Sequence, residues 1–398
     1  MNDWWLERLV VAQNETRTVL RILLAAPLIV FVLLLISSYF LSIPFGLSLF
    51  FFTPEGVTFS KLSLPPTELP MLLFMTVGFY IPVTASYGLA FLFLLGVYVV
   101  CFAGAWISRE SFHNVVRKSF SRPFTKLFNN NLFAMPIIAS MLFTAVIAIT
   151  LFQTSQGIPT DPLPEAEPFH LFFQLTYSPV WEEISFRIST IGVFLVAYLF
   201  VVGGKKLAKL SAGRTLKVAL LIPLYPDKAK KLLGVKTVSE FGIKGISLGE
   251  WGMIVITSLV FGWLHVGRPW GPGKFTTATL QGIALCLVYL FYGVQAPILL
   301  HWFFNYYWGS FILALDLYPN SLPLIFVIFI VEMVAFIVGV FGLSMFAGLL
   351  GVRLYRRWKK TVPSLPPSTQ PSPSLTIRFC RQCGRVLEED MQFCPYCG

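Results

Sequence analysis

Charge is what this chain has least of. Asp, Glu, Lys and Arg together supply 12% of its 398 residues, against 56% hydrophobic ones, and the mean hydropathy is +0.73. That balance excludes an ordinary soluble domain and predicts an all-α polytopic membrane protein. Cysteine is nearly missing until the C-terminus. Only Cys101 and Cys286 precede the tail, both inside apolar runs, where they read as small buried hydrophobes. A disulfide-framed secreted domain is therefore excluded. No small-residue cleavage site follows the first apolar run, so that run reads as a transmembrane helix and not a signal peptide. No HExxH helix is present, which removes one familiar zinc-protease signature.

The charge that does exist is lopsided, with a formal net of +11. No stacking aromatics are interleaved with the bases, so no nucleic-acid partner is expected. The bases fall instead in loops between apolar runs. Those runs cover 19–43, 84–106 (after a break at Pro82), 132–152, 169–202, 250–266, 275–294, 296–315 and 322–352. Each is long enough to cross a bilayer, giving about eight transmembrane helices. The stretches 42–70 and 154–168 read as outside loops, the second carrying Asp161, Glu165 and Glu167. The basic loops 109–126 and 205–244 then fall inside, the longer one against acidic headgroups. A multi-pass cell-membrane protein with both termini in the cytoplasm follows.

Against so little charge, Ser178-Pro179-Val180-Trp181-Glu182-Glu183-Ile184-Ser185-Phe186-Arg187 stands out inside the fourth run. A charge at bilayer depth costs about 2.5–3.5 kcal/mol and marks a functional site by default. Glu183 and Arg187, four apart with the acid first, suit a helical ion pair. Glu182 is left over, with a pKa that burial and a helix dipole can tune for a general base. Ser178 and Pro179 read as N-cap and first-turn residues, which puts both acids near a helix start. The competing account is a structural ion-pair cluster between helices. A helix start at Pro179 leaves Glu182 and His265 toward the outer side and His301 near the inner one. A start near Phe169 removes that mismatch by moving Glu182 to the membrane centre.

Two of only four histidines lie at membrane depth, in Phe261-x3-His265 and His301-x3-Asn305. Each pair shares one helical face. Together with the acids they contain bases, an orienting group and neutral donors for an oxyanion.

The tail is a separate unit. After a Pro/Ser-rich linker, Cys380-x2-Cys383-Gly384 and Cys394-x2-Cys397-Gly398 form two CxxC knuckles. Four thiolates at this spacing suit a closed structural zinc ribbon, whose metal would supply most of its folding free energy. Such a site has no open coordination position, and a docking role for a soluble partner is the expectation.

The order Glu182-Glu183-x3-Arg187, Phe261-x3-His265, His301-x3-Asn305 resembles the CPBP family of intramembrane proteases. That family includes the type II CAAX prenyl endopeptidases and the bacteriocin-processing Abi proteins. The resemblance covers roughly 168–315, and Ile188 stands where the family commonly has glycine. It implies that Glu182 and His265 activate a water against a peptide carbonyl. Glu183 would steady His265 or pair with Arg187, and His301 and Asn305 would hold the oxyanion. A catalytic zinc would suit these ligand types, but the resemblance favours a metal-free scheme. The substrate would be a membrane-associated peptide or protein. The expected division is 1–18, a cytoplasmic segment; 19–153, N-terminal helices; 154–352, the catalytic membrane domain; 353–376, a basic and Pro/Ser-rich linker; and 377–398, the zinc ribbon. The alternatives are a transporter using the buried Glu/His cluster for ions, or a non-catalytic scaffold docking partners at the ribbon.

Overall fold

The computed structural model describes residues 4–66, 69–80, 84–120, 122, 124–160, 166–266, 271–361, 378–380, 382–387 and 397. Seven helices among them are long and apolar enough to cross a membrane. The number is eight if Val238–Gly245 and Leu248–Leu264, bent at 72°, form one span. The polytopic helical architecture expected from the apolar runs is thus present.

Helix α1 (Trp4–Phe52) runs well beyond the expected end at residue 43, since the chain stays apolar to Phe52. Thr53 then caps the short α2 (Pro54–Lys61) by accepting from the Gly56 amide. Most of the expected loop 42–70 is therefore helix. Strands β1 (Pro70–Leu73) and β2 (Val77–Tyr80) follow as an antiparallel hairpin whose turn holds Phe74 and Met75 at positive φ. This hairpin lies just before the expected break at Pro82, a residue outside the described ones. Helix α3 (Tyr87–Ile107) starts at its Ser86 cap. Beyond α4 (Phe112–Arg117), the buried Asn130 both caps α5 (Asn131–Ser155) and donates to the Ala105 and Trp106 carbonyls at the end of α3.

Helix α6 (Pro168–Glu183) begins at Glu167, whose carboxylate accepts from the His170 amide. It passes through a π-helical segment, Ile184–Gly192, into α7 (Val193–Val202). The expected start at Ser178 and Pro179 is wrong: both lie mid-helix. Membrane helices tolerate an interior proline because neighbours re-satisfy the freed backbone.

The basic stretch 205–244 is folded where a loop was expected. It forms α8 (Gly204–Leu207), α9 (Ala212–Leu224), α10 (Pro226–Leu233) and α11 (Val238–Phe241). Ile222, Ala229 and Leu233 share a core with Leu195, Leu199 and Tyr289. Lys230, expected at the headgroups, is instead buried and paired with Glu250 at 2.6 Å. Glu250 also completes a capping box with Ser247 at the start of α12 (Leu248–Leu264).

Helices α12 and α13 (Lys274–Tyr292) pack closely through Gly262. Next, α14 (Gln295–Trp302) leads through a second π-helical segment, Phe303–Tyr307, into α15 (Trp308–Leu317). Aromatic rings join these helices to α1, α3 and α6. Phe50 stacks on Phe91 at 4.0 Å and Trp302 on Tyr306 at 5.5 Å, and Tyr39 stands edge-on to Trp302. The last long helix is α16 (Leu322–Thr361).

The chain divides into two compact units, Met1–Ser344 and Met345–Gly398. In the second, β3 (Arg378–Phe379) pairs with β4 (Val386–Leu387) across a turn in which Gly384 takes φ 75°.

A Cβ at Gly262 would collide with Thr279 Oγ1 and lie 2.8 Å from the Phe275 carbonyl. Gly262→Ala is therefore expected to destabilise the protein by about 1–3 kcal/mol. The check is the thermal midpoint of the detergent-solubilised protein, and Thr279→Ala should recover part of the loss.

Candidate active site

Glu182 and Glu183 end the α-helical part of α6, immediately before the first π-helical segment. His301 lies one residue short of the end of α14, and the second π-helical segment carries Asn305. Single-turn π segments recur at functional sites, since the wider turn re-aims side chains that a regular helix would stack in line. Here one such segment directly follows the acids and the other directly follows Trp302, the neighbour of His301.

Glu183 and Arg187 are both fully buried. The Arg187 Nε lies 3.1 Å from one Glu183 oxygen, and Nη1 donates to the other at 3.2 Å. The third guanidinium nitrogen, Nη2, donates to the Gly282 carbonyl at 3.2 Å, tying the π-helical segment to α13. Glu183 Oε1 also lies 2.9 Å from His301 Nδ1. One carboxylate thus holds an arginine and an imidazole at once. The tautomer that donates Nδ1–H to Glu183 leaves Nε2 as an acceptor on the side of Glu182.

Glu182 faces that nitrogen. Its Oε2 lies 3.8 Å from His301 Nε2, is itself buried, and has no hydrogen-bond partner among the described residues. The Glu182 side chain is 29% exposed, so the carboxylate sits at the mouth of the cluster while Glu183 forms its floor. Lys274, at the start of α13, lies within Coulombic reach of Glu182.

His265 caps the end of α12, and its Nδ1 lies 2.7 Å from the Phe261 carbonyl. Among the described residues no hydrogen bond or ion pair joins it to Glu183. Of the two parts expected for Glu183, steadying His265 or pairing with Arg187, the pair with Arg187 is present, and the histidine beside the carboxylate is His301. Phe261 connects the two imidazoles, its ring centroid lying 4.5 Å from that of His265 and 6.0 Å from that of His301. Phe186 meets the same ring edge-on at 5.1 Å, and the Arg187 guanidinium lies 5.2 Å from its centroid. With α6 starting at Pro168, the acids lie at its far end, where Glu183 meets His301.

Asn305 donates from Nδ2 to Ser178 Oγ at 2.7 Å. That contact gives Ser178 a different task from capping a helix. The hairpin grips α6 and its π-helical continuation on either side of the acids: the Tyr177 hydroxyl donates to the Pro70 carbonyl at 2.7 Å, and the Phe74 amide donates to Ser189 Oγ at 3.1 Å. Sequence reasoning missed Phe261 as a junction, Lys274 and the hairpin. The two contacting residues Tyr177 and Ser189 are an ordinary tyrosine and serine with no motif to flag them.

In the C-terminal unit, the sulfurs of Cys380, Cys383 and Cys397 lie within 4.8 Å of one another and can hold a metal ion. Cys394, the fourth expected ligand, lies outside the described residues. Backbone amides of Gln382 and Cys383 pull the Cys380 thiol down to about 6, toward the thiolate that binds metal.

Residues 164–307 match the family model described as type II CAAX prenyl endopeptidase Rce1-like. The matched segment contains all six candidate residues of the membrane site. Comparison with curated proteins and with solved structures gives no match.

Arg187→Met would leave the Glu183 carboxylate buried without its guanidinium. Breaking a buried pair from one side costs about 3–5 kcal/mol. A lowered denaturation midpoint is expected, with partial recovery in the Glu183→Gln/Arg187→Met double variant.

Proposed function

Starting from the Rce1-like domain at 164–307, we propose that this protein is an intramembrane endopeptidase acting on a membrane-associated peptide or protein, with Glu182 as the general base. The family supports the broader class, a CAAX-type membrane protease. The observation that carries the finer reading is the Glu182–His301 gap. Two acceptors 3.8 Å apart cannot hydrogen-bond each other, yet one water oxygen can lie about 2.8 Å from each. That water would donate one hydrogen to Glu182 Oε2 and the other to His301 Nε2, leaving a lone pair for a peptide carbonyl.

In the proposed reaction the water oxygen bonds to the carbonyl carbon as its proton passes to Glu182. The carbonyl electrons move to oxygen, and the second Asn305 N–H, not used on Ser178, stabilises the oxyanion. Collapse re-forms the carbonyl and breaks the C–N bond. Glu182 then returns the proton to the departing amine. Glu183 and Arg187 are positioning residues: they hold the His301 tautomer, as a buried carboxylate holds imidazole in other hydrolases. His301 thereby takes the water-positioning part expected of His265. The latter supplies a second imidazole beside Phe261, with Nε2 open to a proton.

We further propose that the cysteine cluster holds one structural zinc, that both termini are cytoplasmic, and that the ribbon docks a soluble partner. Three converging thiols, one already biased to thiolate, fit such an ion.

Glu182→Ala is expected to lower peptidase turnover by about 10²–10⁴-fold with an unchanged denaturation midpoint. Paired farnesylated and unmodified peptides, followed by mass spectrometry, measure the loss and test the substrate class. Cleavage by Glu182→Ala at the wild-type rate would refute the base assignment, and flux of an ion through liposomes without cleavage would favour the transporter. Elemental analysis of the purified full-length chain is expected to find about one zinc per chain, lost in Cys380→Ser without loss of the membrane fold.

A further inference from the structure

A second recess lies away from the candidate active site, where α3 and α13 end. It has a volume of about 780 Å³ and opens among the α3 end, the 124–129 turn and α10. Its walls carry Arg109, Lys126, Lys228 and Lys231 against only Glu110 and Asp227. Both acids are already engaged. Glu110 pairs with Arg122 at 2.6 Å, and Asp227 pairs with Arg109 at 2.8 Å while accepting from the Val238 and Ser239 amides. Lys231 pairs with Glu240. Lys126 and Lys228 are exposed and have no acid partner among the described residues. The recess therefore holds uncompensated positive charge.

The same turn of α3 opens onto a second groove. Phe40, Val99, Phe102, Ala103 and Trp106 line a volume of about 470 Å³ that is almost wholly apolar. Ile107 is a wall of both recesses. Ile107 is also the last residue of an apolar span, and the basic recess is closed by Tyr292, the last residue of another. Cationic space thus begins where two spans end, and apolar space runs back along one of them.

We propose that these joined recesses bind one anionic glycerophospholipid, its phosphate between Lys126 and Lys228 and one acyl chain along Phe40, Phe102 and Trp106. The charge excess selects an anionic headgroup over a zwitterionic one, and basic recesses between transmembrane helices are a recurrent place for such headgroups. The apolar groove selects a tethered chain over a free phosphate. Arg109 fixes the junction: at φ 58° its guanidinium lies 3.6 Å over the Phe291 ring and donates to the Phe291 carbonyl. This site does not depend on the peptidase reading.

The test is thermal stabilisation and native mass spectrometry of the full-length protein in detergent, titrated with four probes. These are dioleoyl phosphatidylglycerol, dioleoyl phosphatidylcholine, dihexanoyl phosphatidylglycerol and inorganic phosphate. Dioleoyl phosphatidylglycerol is expected to bind most tightly. Lys126→Gln/Lys228→Gln should weaken it about thirtyfold, as expected for two lysines facing an anionic lipid, while Lys126→Arg/Lys228→Arg retains it. Ala103→Trp, which fills the groove, should weaken the dioleoyl lipid without affecting the dihexanoyl one. Equal binding of phosphatidylcholine, equal binding of phosphate, or indifference to the lysine pair would each overturn the proposal. So would farnesol displacing the dioleoyl lipid from wild type and the glutamine variant alike, since the groove would then take a neutral isoprenoid.

Discussion

The Glu183 carboxylate, shared between Arg187 and His301, is the interaction on which the membrane site depends. A carboxylate buried in this position without a counter-charge is costly. The guanidinium of Arg187 supplies that counter-charge, and the same carboxylate lies within hydrogen-bond distance of His301 Nδ1. The histidine then presents its other nitrogen toward Glu182. Three chain segments are tied at one point, since Arg187 also reaches the Gly282 carbonyl on α13. Removing any one member leaves the others buried with unmet charge or hydrogen-bonding capacity, an arrangement that resists gradual loosening.

Aromatic packing carries the cluster. Phe261 touches both imidazoles, Phe186 and the Arg187 guanidinium, so the rings set positions that hydrogen bonds then refine. Trp302, next in sequence to His301, is fully buried among Tyr39, Phe102 and Tyr306. A side chain clamped on several faces loses little further entropy when it works, which is the physical content of a preorganised site.

Much of this was legible in sequence because charge is so rare in the chain. Acids, histidines and an arginine inside apolar runs had few innocent explanations, and the spans emerged from run length alone. The failures have local causes. Pro179 carries the same signal whether it opens a helix or lies inside one, so the true start at Pro168 could not be chosen by propensity. The hairpin at 70–80 is apolar on both sides of a short turn, and periodicity does not separate so short an apolar strand from a piece of helix. Lys230 looked like one more surface lysine because its partner Glu250 is twenty residues away. The pairing of Glu183 with His301, and of Asn305 with Ser178, spans more than a hundred residues, beyond what spacing along one helix can reveal.

The π-helical turns make chain length at the site as constrained as residue identity. Such a turn holds one residue more than the α-turn it replaces, and each residue of an α-helix rotates the chain by about 100°. A single deletion at the start of α7, directly after Ile184–Gly192 where no extra residue is stored, would leave every side chain's chemistry unchanged. It would nonetheless swing α7, and the Leu195–Leu199 face packed beneath it, about a quarter-turn relative to the acids. Substitution tolerance and indel tolerance therefore diverge here, and an inserted or missing residue in the regular helix just past this turn disrupts more than most replacements of its neighbours.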